Sequence, residues 1–448
     1  MSESVTKKTA LPKLSPPPQK LAELAAEVGA MMIAYGAEAQ RAEDAITRIL
    51  ATSGYTVTDA FVLTTGITVT LSDEDATLVS ITRRIRPGGC NMGHVCDANS
   101  ISRDFCEGKI SVEEALSRLR CAKKRRIYHY GGSLVGSMLV CGGFAYMFGG
   151  SVLDALAALL CGAVWWVAYA ILTPLIRRSF VSDMLSCFIM ASFALLLTYL
   201  GNRFFNLGLQ SHYMIVGGMM PLVPGVSITT AIRDILGGDY ISSLSRAVSA
   251  FLTAASVAIG VGLAITLGNV LDFSFVAPDF AFLGTEVRDV RILFEAVAAF
   301  VSAWGFCALL EVPKKLRFSA SITAVVCWMI YLAAGILTIS TAWATTLASA
   351  AVYLMAYFLA RREKAPVLVF LIGGILPLVP GFAIYRSVYY MIIGDALASA
   401  SLAQTFTVAG TIALGIFLAD TANEMLLRRR REKRAKEQAT SAKNPPKQ

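Results

Sequence analysis

Residues 217–225 read Gly217-Gly218-Met219-Met220-Pro221-Leu222-Val223-Pro224-Gly225. Residues 373–381 repeat them, changed only at the third and fourth places, as Gly373-Gly374-Ile375-Leu376-Pro377-Leu378-Val379-Pro380-Gly381. Both copies stand inside long apolar segments. Proline has no N–H to give to a helix, and the glycine after each pair permits an irregular turn. On a regular helix Pro221 and Pro224 leave the carbonyls of Gly217 and Met220 without their usual donors. Pro377 and Pro380 do the same to Gly373 and Leu376. In a bilayer such a break is tolerated only where protein surrounds it or a cavity meets it. A single copy reads as a packing kink; a duplicated one is harder to dismiss.

Outward from these stretches the chain is apolar. Of 448 residues, 55% are hydrophobic and only 16% charged, and several runs exceed the roughly 20 apolar residues that cross a bilayer. The expected fold class is a mainly α polytopic membrane protein. The net charge of +9 sits in short basic blocks beside apolar runs, which is how cytoplasmic loops read. That distribution argues against a nucleic-acid partner. The first twenty residues are polar and Pro-rich, so no cleavable signal peptide is expected. Cysteines number nine; Cys141, Cys161, Cys187, Cys307 and Cys327 fall in apolar segments, as small hydrophobes do. Cys90, His94, Cys96 and Cys106 fit no usual zinc spacing, so neither a metal, another cofactor nor a disulfide framework is expected.

Taken in order, residues 1–19 form a disordered lead and 20–128 a soluble cytoplasmic α+β domain. In it, a helical pattern from Leu21 to about Ser53 is interrupted near Tyr35-Gly36. Strands are predicted near 57–63, 66–71 and 77–84, and helices near 91–107 and 111–122, the second opened by the capping box Ser111-Val112-Glu113-Glu114. Ten spans follow, near 131–148, 152–174, 182–200, 213–236, 244–268, 291–310, 318–337, 341–360, 366–393 and 402–426. With Lys123-Lys124-Arg125-Arg126 cytoplasmic, every later basic block falls on that same side, through Arg177-Arg178, Arg233 to Arg246, Lys314-Lys315-Arg317, Arg361-Arg362-Lys364 and Arg428 to Arg431. Both termini are therefore cytoplasmic. The membrane part divides into a first five-helix repeat (129–270), an extracytoplasmic linker (271–290) and a second repeat (291–427), before a basic cytoplasmic tail (428–448).

The two Pro-Leu-Val-Pro-Gly stretches then lie in the fourth and ninth spans, five apart. An odd number of spans per repeat inverts the second copy, the arrangement of many secondary transporters with a midplane site between broken helices. Each break begins about eight residues into its span, ~12 Å at ~1.5 Å per residue, near the middle of a core ~30 Å thick. The likeness extends further, since Ile228 matches Ile384 and Gly238-Asp239 matches Gly394-Asp395.

Together these residues resemble the threonine/serine exporter family. The likeness rests on the Gly36-Ala37-Glu38 and Arg41-Ala42-Glu43-Asp44 helix, Thr64-Thr65-Gly66-Ile67, Arg83-Arg84-Ile85-Arg86-Pro87, and the first Pro-Leu-Val-Pro-Gly run with Arg233-Asp234 and Gly238-Asp239. From about Ile292 the chain resembles the smaller partner subunit of that family, through Val312-Pro313-Lys314-Lys315 and the second run with Tyr385-Arg386 and Gly394-Asp395. The resemblance covers roughly residues 20–425, with both units fused in one chain. It implies a plasma- or inner-membrane exporter of small hydroxy amino acids, driven by the proton motive force as a proton antiporter. Related two-subunit systems suggest dicarboxylates such as succinate as an alternative cargo.

The chemistry of the breaks admits both cargoes. Each break starts a fresh half-helix, at Val226 and at Phe382, whose N–H groups favour a carboxylate. The freed carbonyls can accept from an ammonium or a hydroxyl. A zwitterion matches both features, whereas a dicarboxylate matches two positive ends. The candidate substrate-binding residues are Pro221, Pro224, Gly225, Ser227, Thr229, Thr230 and Arg233 in the first copy, with Pro377, Pro380, Gly381, Tyr385 and Arg386 in the second. Arg386 lies deeper than Arg233 and is the better carboxylate ligand. Asp234, Asp239, Glu295, Asp395 and Asp420 are the candidates for carrying a proton; Asp239 and Asp395 also read as helix caps. Asp154 and Asp183, at span starts, read as interfacial or helix N-terminal charges. The expected partners are a small-molecule substrate, protons and the lipid bilayer, and a homo-oligomer is compatible with them. An enzymatic reading would need the soluble domain, which lacks a nucleophile elbow, a phosphate loop or a metal set; a hydrolase or sensor there is the other alternative.

Overall fold

The computed structural model divides into two compact units, Met1–Ile127 and Tyr128–Gln448. It describes residues 17–52, 57–72, 79–86, 88–124, 130–222, 224–236, 238–271, 289–379, 383, 386–387, 390–391 and 394–443. The disordered lead before residue 17 and most of the 271–290 linker lie outside the described residues.

In the first unit α1 (Pro18–Ala34) and α2 (Ala39–Ala51) are separated at Tyr35-Gly36, where Gly36 takes a φ of 99°. Strands β1 (Val57–Leu63), β2 (Gly66–Ser72) and β3 (Val79–Arg84) form an antiparallel meander with β2 in the centre. Ile67, Val69 and Leu71 alternate into the core, the period of two expected of a half-buried strand. On the other face Thr68 pairs with Thr82 at 3.2 Å and Thr70 with Ser80 at 3.4 Å. Helix α1 lies close over the core face, since a Cβ on Gly29 would stand 3.0 Å from Ile67. Helices α3 (Met92–Cys106) and α4 (Val112–Lys124) follow. Asn91 caps α3 by accepting from the His94 N–H, and Ser111 caps α4 by accepting from the Glu114 N–H.

The second unit is helical: α5 (Tyr130–Met147), α6 (Val152–Ile176), α7 (Ser179–Phe205), α8 (Ser211–Met219), α9 (Gly225–Leu236), α10 (Tyr240–Val270), α11 (Asp289–Leu309), α12 (Lys314–Ile336), α13 (Thr341–Glu363), α14 (Val367–Ile375) and α15 (Leu397–Lys443). Seven helices are long and apolar enough to cross a membrane: α6, α7, α10, α11, α12, α13 and the Leu397–Leu426 part of α15. Gly131–Met147 and Val367–Leu378 are shorter apolar helices. The fourth and ninth expected spans are not single helices, because each is divided at its Pro-Leu-Val-Pro-Gly stretch.

The order of packing is regular. Helix α5 packs on α6, α8 and α11; α6 and α7 pack on each other and both on α8; α7 packs on α10. In the second half α11 packs on α12, α12 on α13, both on α14, and α13 on α15. Helices α6 and α12 begin at Val152 and Lys314, and α7 and α13 at Ser179 and Thr341, a spacing of 162 residues in both cases. Helices α8 and α14 begin at Ser211 and Val367, 156 residues apart.

The crossing of α5 and α11 depends on small residues. A Cβ on Gly136 would lie 2.7 Å from the Gly305 carbonyl oxygen, and one on Gly305 would lie 2.6 Å from that of Gly136. Further along, a Cβ on Gly143 would meet Ser302 and the Ala298 carbonyl. As one number rises the other falls, so the two helices run antiparallel. Close backbone approach of this kind is how helices associate in lipid, where the solvent supplies no hydrophobic drive between them. Gly305→Ala is expected to lower the melting temperature, with a cost of about 1–3 kcal/mol from forcing the helices apart. Gly262→Ala, where an added Cβ meets nothing within 4 Å, should hold or raise it through better helix propensity. Equal melting of the two purified variants would refute the packing account.

Candidate functional site

The second break is built by tightening rather than by simple loss of bonds. After Ile375 the chain forms a 3₁₀ turn, Leu376–Leu378, with Pro377 inside it. The Val379 N–H then donates to Ile375 at 3.2 Å and to Leu376 at 3.3 Å. At the first break the Met220 N–H donates to Gly217 at 3.2 Å and Leu222 to Met219 at 3.0 Å. The carbonyls of Gly217 and Leu376 are therefore taken up by shorter-ring bonds, contrary to the sequence expectation. A 3₁₀ turn supplies i→i+3 donors that an α-helical count overlooks.

Beside the second break lies a cavity of about 80 Å³, room for several water-sized molecules. Pro377, Leu378 and Val379 form one side. Phe148 from the end of α5, with Trp328 and Tyr331 from α12, forms an aromatic wall; the Trp328 and Tyr331 rings stack with centroids 5.4 Å apart. Thr341 and Thr345 of α13, Ala383, Arg386, and Gln404 and Val408 of α15 complete the lining. Among these residues Arg386 is the one with a formal charge.

Arg386 is held in place from α15. Its Nε donates to Ser401 Oγ at 3.0 Å, and its Nη2 donates to Gln404 Oε1. Ser401 is itself engaged by the Ser387 hydroxyl at 3.1 Å, which also meets Thr405 at 3.1 Å. The guanidinium is thus fixed across the break, between the second half-helix and the last long helix. A planar donor fork held in this way suits a carboxylate.

The aromatic wall has its own support. Glu295, buried on α11, accepts from Trp328 Nε1 at 3.1 Å and from Arg291 Nε at 3.1 Å. The Arg291 guanidinium lies 5.5 Å from the centre of the Tyr146 ring and donates to the Tyr146 carbonyl at 3.3 Å. Glu295 therefore touches the cavity through Trp328.

The other predicted residues are distributed as follows. Pro377 and Arg386 reach the cavity; Pro380, Gly381 and Tyr385 lie outside the described residues. Pro221, Pro224, Ser227 and Thr230 are partly buried around the first break, and the cavity lining does not include them. The Thr230 hydroxyl donates to the Ser227 carbonyl at 3.0 Å, bonding back into its own helix. Gly225, Thr229 and Arg233 belong to α9, and the side chains of Thr229 and Arg233 are outside the described residues. Asp234 pairs with Arg246 at 3.1 Å. Asp239 caps α10 through the Ser242 N–H, and Asp395 accepts from the Leu397 N–H at the start of α15. Asp420 accepts from the Tyr353 hydroxyl.

Sequence reasoning missed the aromatic wall, Thr341, Thr345 and Gln404. A signal for part of it exists in the chain. Trp328-Met-Ile-Tyr331 stands 162 residues after Trp166-Val-Ala-Tyr169, the same spacing that separates α6 from α12.

A family profile described as "Putative threonine/serine exporter" matches residues 23–268, and one described as "Threonine/Serine exporter, ThrE" matches residues 295–422. The chain belongs to the threonine/serine exporter family. Among curated relatives of this family, a "Threonine/serine exporter" of Corynebacterium glutamicum is 22% identical over 432 residues, 91% of this chain and 86% of that protein. A "Probable threonine/serine exporter" of Mycobacterium tuberculosis (strain ATCC 25618 / H37Rv) is 24% identical over 388 residues, 82% of this chain and 70% of that protein. No solved structure matches the chain. The family profiles divide the chain between α10 and α11, in agreement with the fusion of a larger and a smaller unit expected from the motifs.

Proposed function

We propose that the chain is a proton-coupled exporter of threonine and serine that binds its cargo in the cavity beside the second break. The observation that carries this reading is a single fixed guanidinium, Arg386, in a cavity otherwise walled by aromatic rings and neutral polar groups. Arg386 holds the amino-acid carboxylate. The ring faces of Trp328 and Tyr331 suit an ammonium, and Thr341 and Gln404 suit a hydroxyl. A dicarboxylate would leave its second charge without a cation among these lining residues. The names borne by the family relatives point the same way.

The membrane part is read as ten spans in two inverted repeats, α5–α10 and α11–α15, with both termini cytoplasmic and the first unit as a cytoplasmic α+β domain. Three features support the repeat. Helices begin at constant spacings in the two halves. The packing order is the same in both. The first helices of the halves cross antiparallel, as equivalent helices of inverted repeats must.

The test is transport by the purified protein in proteoliposomes under an imposed pH gradient, comparing threonine, serine and succinate. Threonine and serine should move and succinate should not. Movement of succinate alone would replace the cargo assignment, and movement of none would remove the transport reading.

A further inference from the structure

The five acids that the sequence offers for proton coupling are all engaged. Asp239 and Asp395 cap helices, Asp234 and Glu295 are paired with arginines, and Asp420 accepts from Tyr353. An acid committed to a guanidinium holds its charge and is a poor carrier of protons. One buried acid differs from these. Asp183, in the first turns of α7, is 7% exposed and has no hydrogen-bond or ion-pair partner among the described residues. Its neighbours on the helix are spoken for otherwise: Ser182 meets Thr173 of α6 at 2.9 Å, and the Ser186 hydroxyl bonds back to the Ser182 carbonyl.

Its position is informative. Met190 of α7 lies against Gly218, and Val352 of α13 lies against Gly374 in the same way. The Met184 carbonyl of α7 lies against Gly260 of α10, and the Thr346 carbonyl of α13 against Gly415 of α15. Both pairs preserve the 162-residue spacing of the helix starts. At that spacing Asp183 is the counterpart of Thr345, which lines the cavity beside Pro377 and Arg386. A second line of reasoning agrees. Helices α7 and α8 run antiparallel, with Gly201 against Leu209, Thr198 against Met214 and Met190 against Gly218. Continued in that register, Asp183 comes level with the first turn of α9, immediately after the first break.

We propose that Asp183 is the acid that takes up and releases the coupling proton, in a half-site that is the first repeat's counterpart of the amino-acid cavity. This rests on the transport reading above. The second repeat carries the cation that holds the substrate carboxylate, and the first carries a carboxyl that gains an O–H bond on protonation and loses it on release. A buried carboxylate without a partner is the group most sensitive to protonation, because the proton removes an uncompensated charge. Among the described residues, Cys187, one turn along α7, is the titratable group beside it, and no charged side chain of α6, α8 or α10 interacts with it.

The experiment uses full-length protein in proteoliposomes and two assays of radiolabelled threonine. One is exchange at equal pH, which needs no net proton movement; the other is net flux driven by a pH gradient. Asp183→Asn should keep exchange within about twofold and lose at least tenfold of the gradient-driven flux, and Asp183→Glu should restore coupling. Retained gradient-driven flux in Asp183→Asn overturns the proposal, as does equal loss of both assays. If the wild-type protein exchanges no threonine, the transport reading itself fails and this proposal falls with it. A measurement independent of flux is infrared difference spectroscopy on acidification of the wild-type protein. A protonated-carboxyl band that shifts in Asp183→Glu is expected, and its persistence unshifted in that variant overturns the assignment.

Discussion

Arg386→Gln is expected to weaken threonine binding by roughly 10- to 100-fold, measured with purified protein by calorimetry or a radioligand assay. A hydrogen bond to a charged group is worth about 1.5–3 kcal/mol, and each 1.4 kcal/mol is a factor of ten. The substitution removes both the charge and the fork that matches a carboxylate. Arg386→Lys should fall between the two, since it keeps the charge and loses the planar geometry. Neither variant should unfold the protein, because Ser401 retains its contact with Ser387 at 3.1 Å. Threonine binding equal to wild type in Arg386→Gln would remove the cavity from consideration as the cargo site.

The largest expected loss of stability comes from Glu295→Ala. That change leaves Arg291 without its 3.1 Å partner and Trp328 Nε1 without an acceptor, at a place where Glu295 is 6% exposed. Removing one member of a buried pair costs about 3–5 kcal/mol, and the partial exposure of Arg291 puts the expectation near the low end. Glu295→Gln keeps an acceptor for the indole and should lose less. The double variant Arg291→Leu with Glu295→Leu should recover much of the deficit, because two apolar side chains leave no charge behind. Thermal melting of the four proteins in one detergent decides this. A double variant no more stable than Glu295→Ala would mean that packing, not charge, governs this corner of α11.

Much of this architecture was legible in the chain. The first unit followed from local rules: β-branched alternation for β2, the turn at Thr64-Thr65, and the Ser111 cap of α4. The apolar helices followed from length and hydropathy, and the breaks from proline chemistry. What local reading could not supply was the partner of each buried polar group. Glu295 looks like a free acid at membrane depth until Arg291 and Trp328, four and 33 residues away, are seen to hold it. Asp183 looks like a helix-start charge until its burial is seen. The carbonyls of Gly217 and Leu376 look vacant until the 3₁₀ turns close on them. The first break gave weaker returns than the second, because its hydroxyls bond within their own helix, as Thr230 does.

Helix α15 carries one mechanical implication. It is continuous from Leu397 to Lys443, so the residues that grip Arg386 and those at the basic end of the chain belong to one rod. From Gln404 to Lys443 that rod is about 60 Å long at ~1.5 Å per residue. A rotation of about 5° at the cavity end would swing the far end by roughly 5 Å. Whatever reorients Gln404 when cargo arrives is thereby amplified at the membrane surface, where a single distance probe near the chain terminus could read cargo occupancy from outside the bilayer.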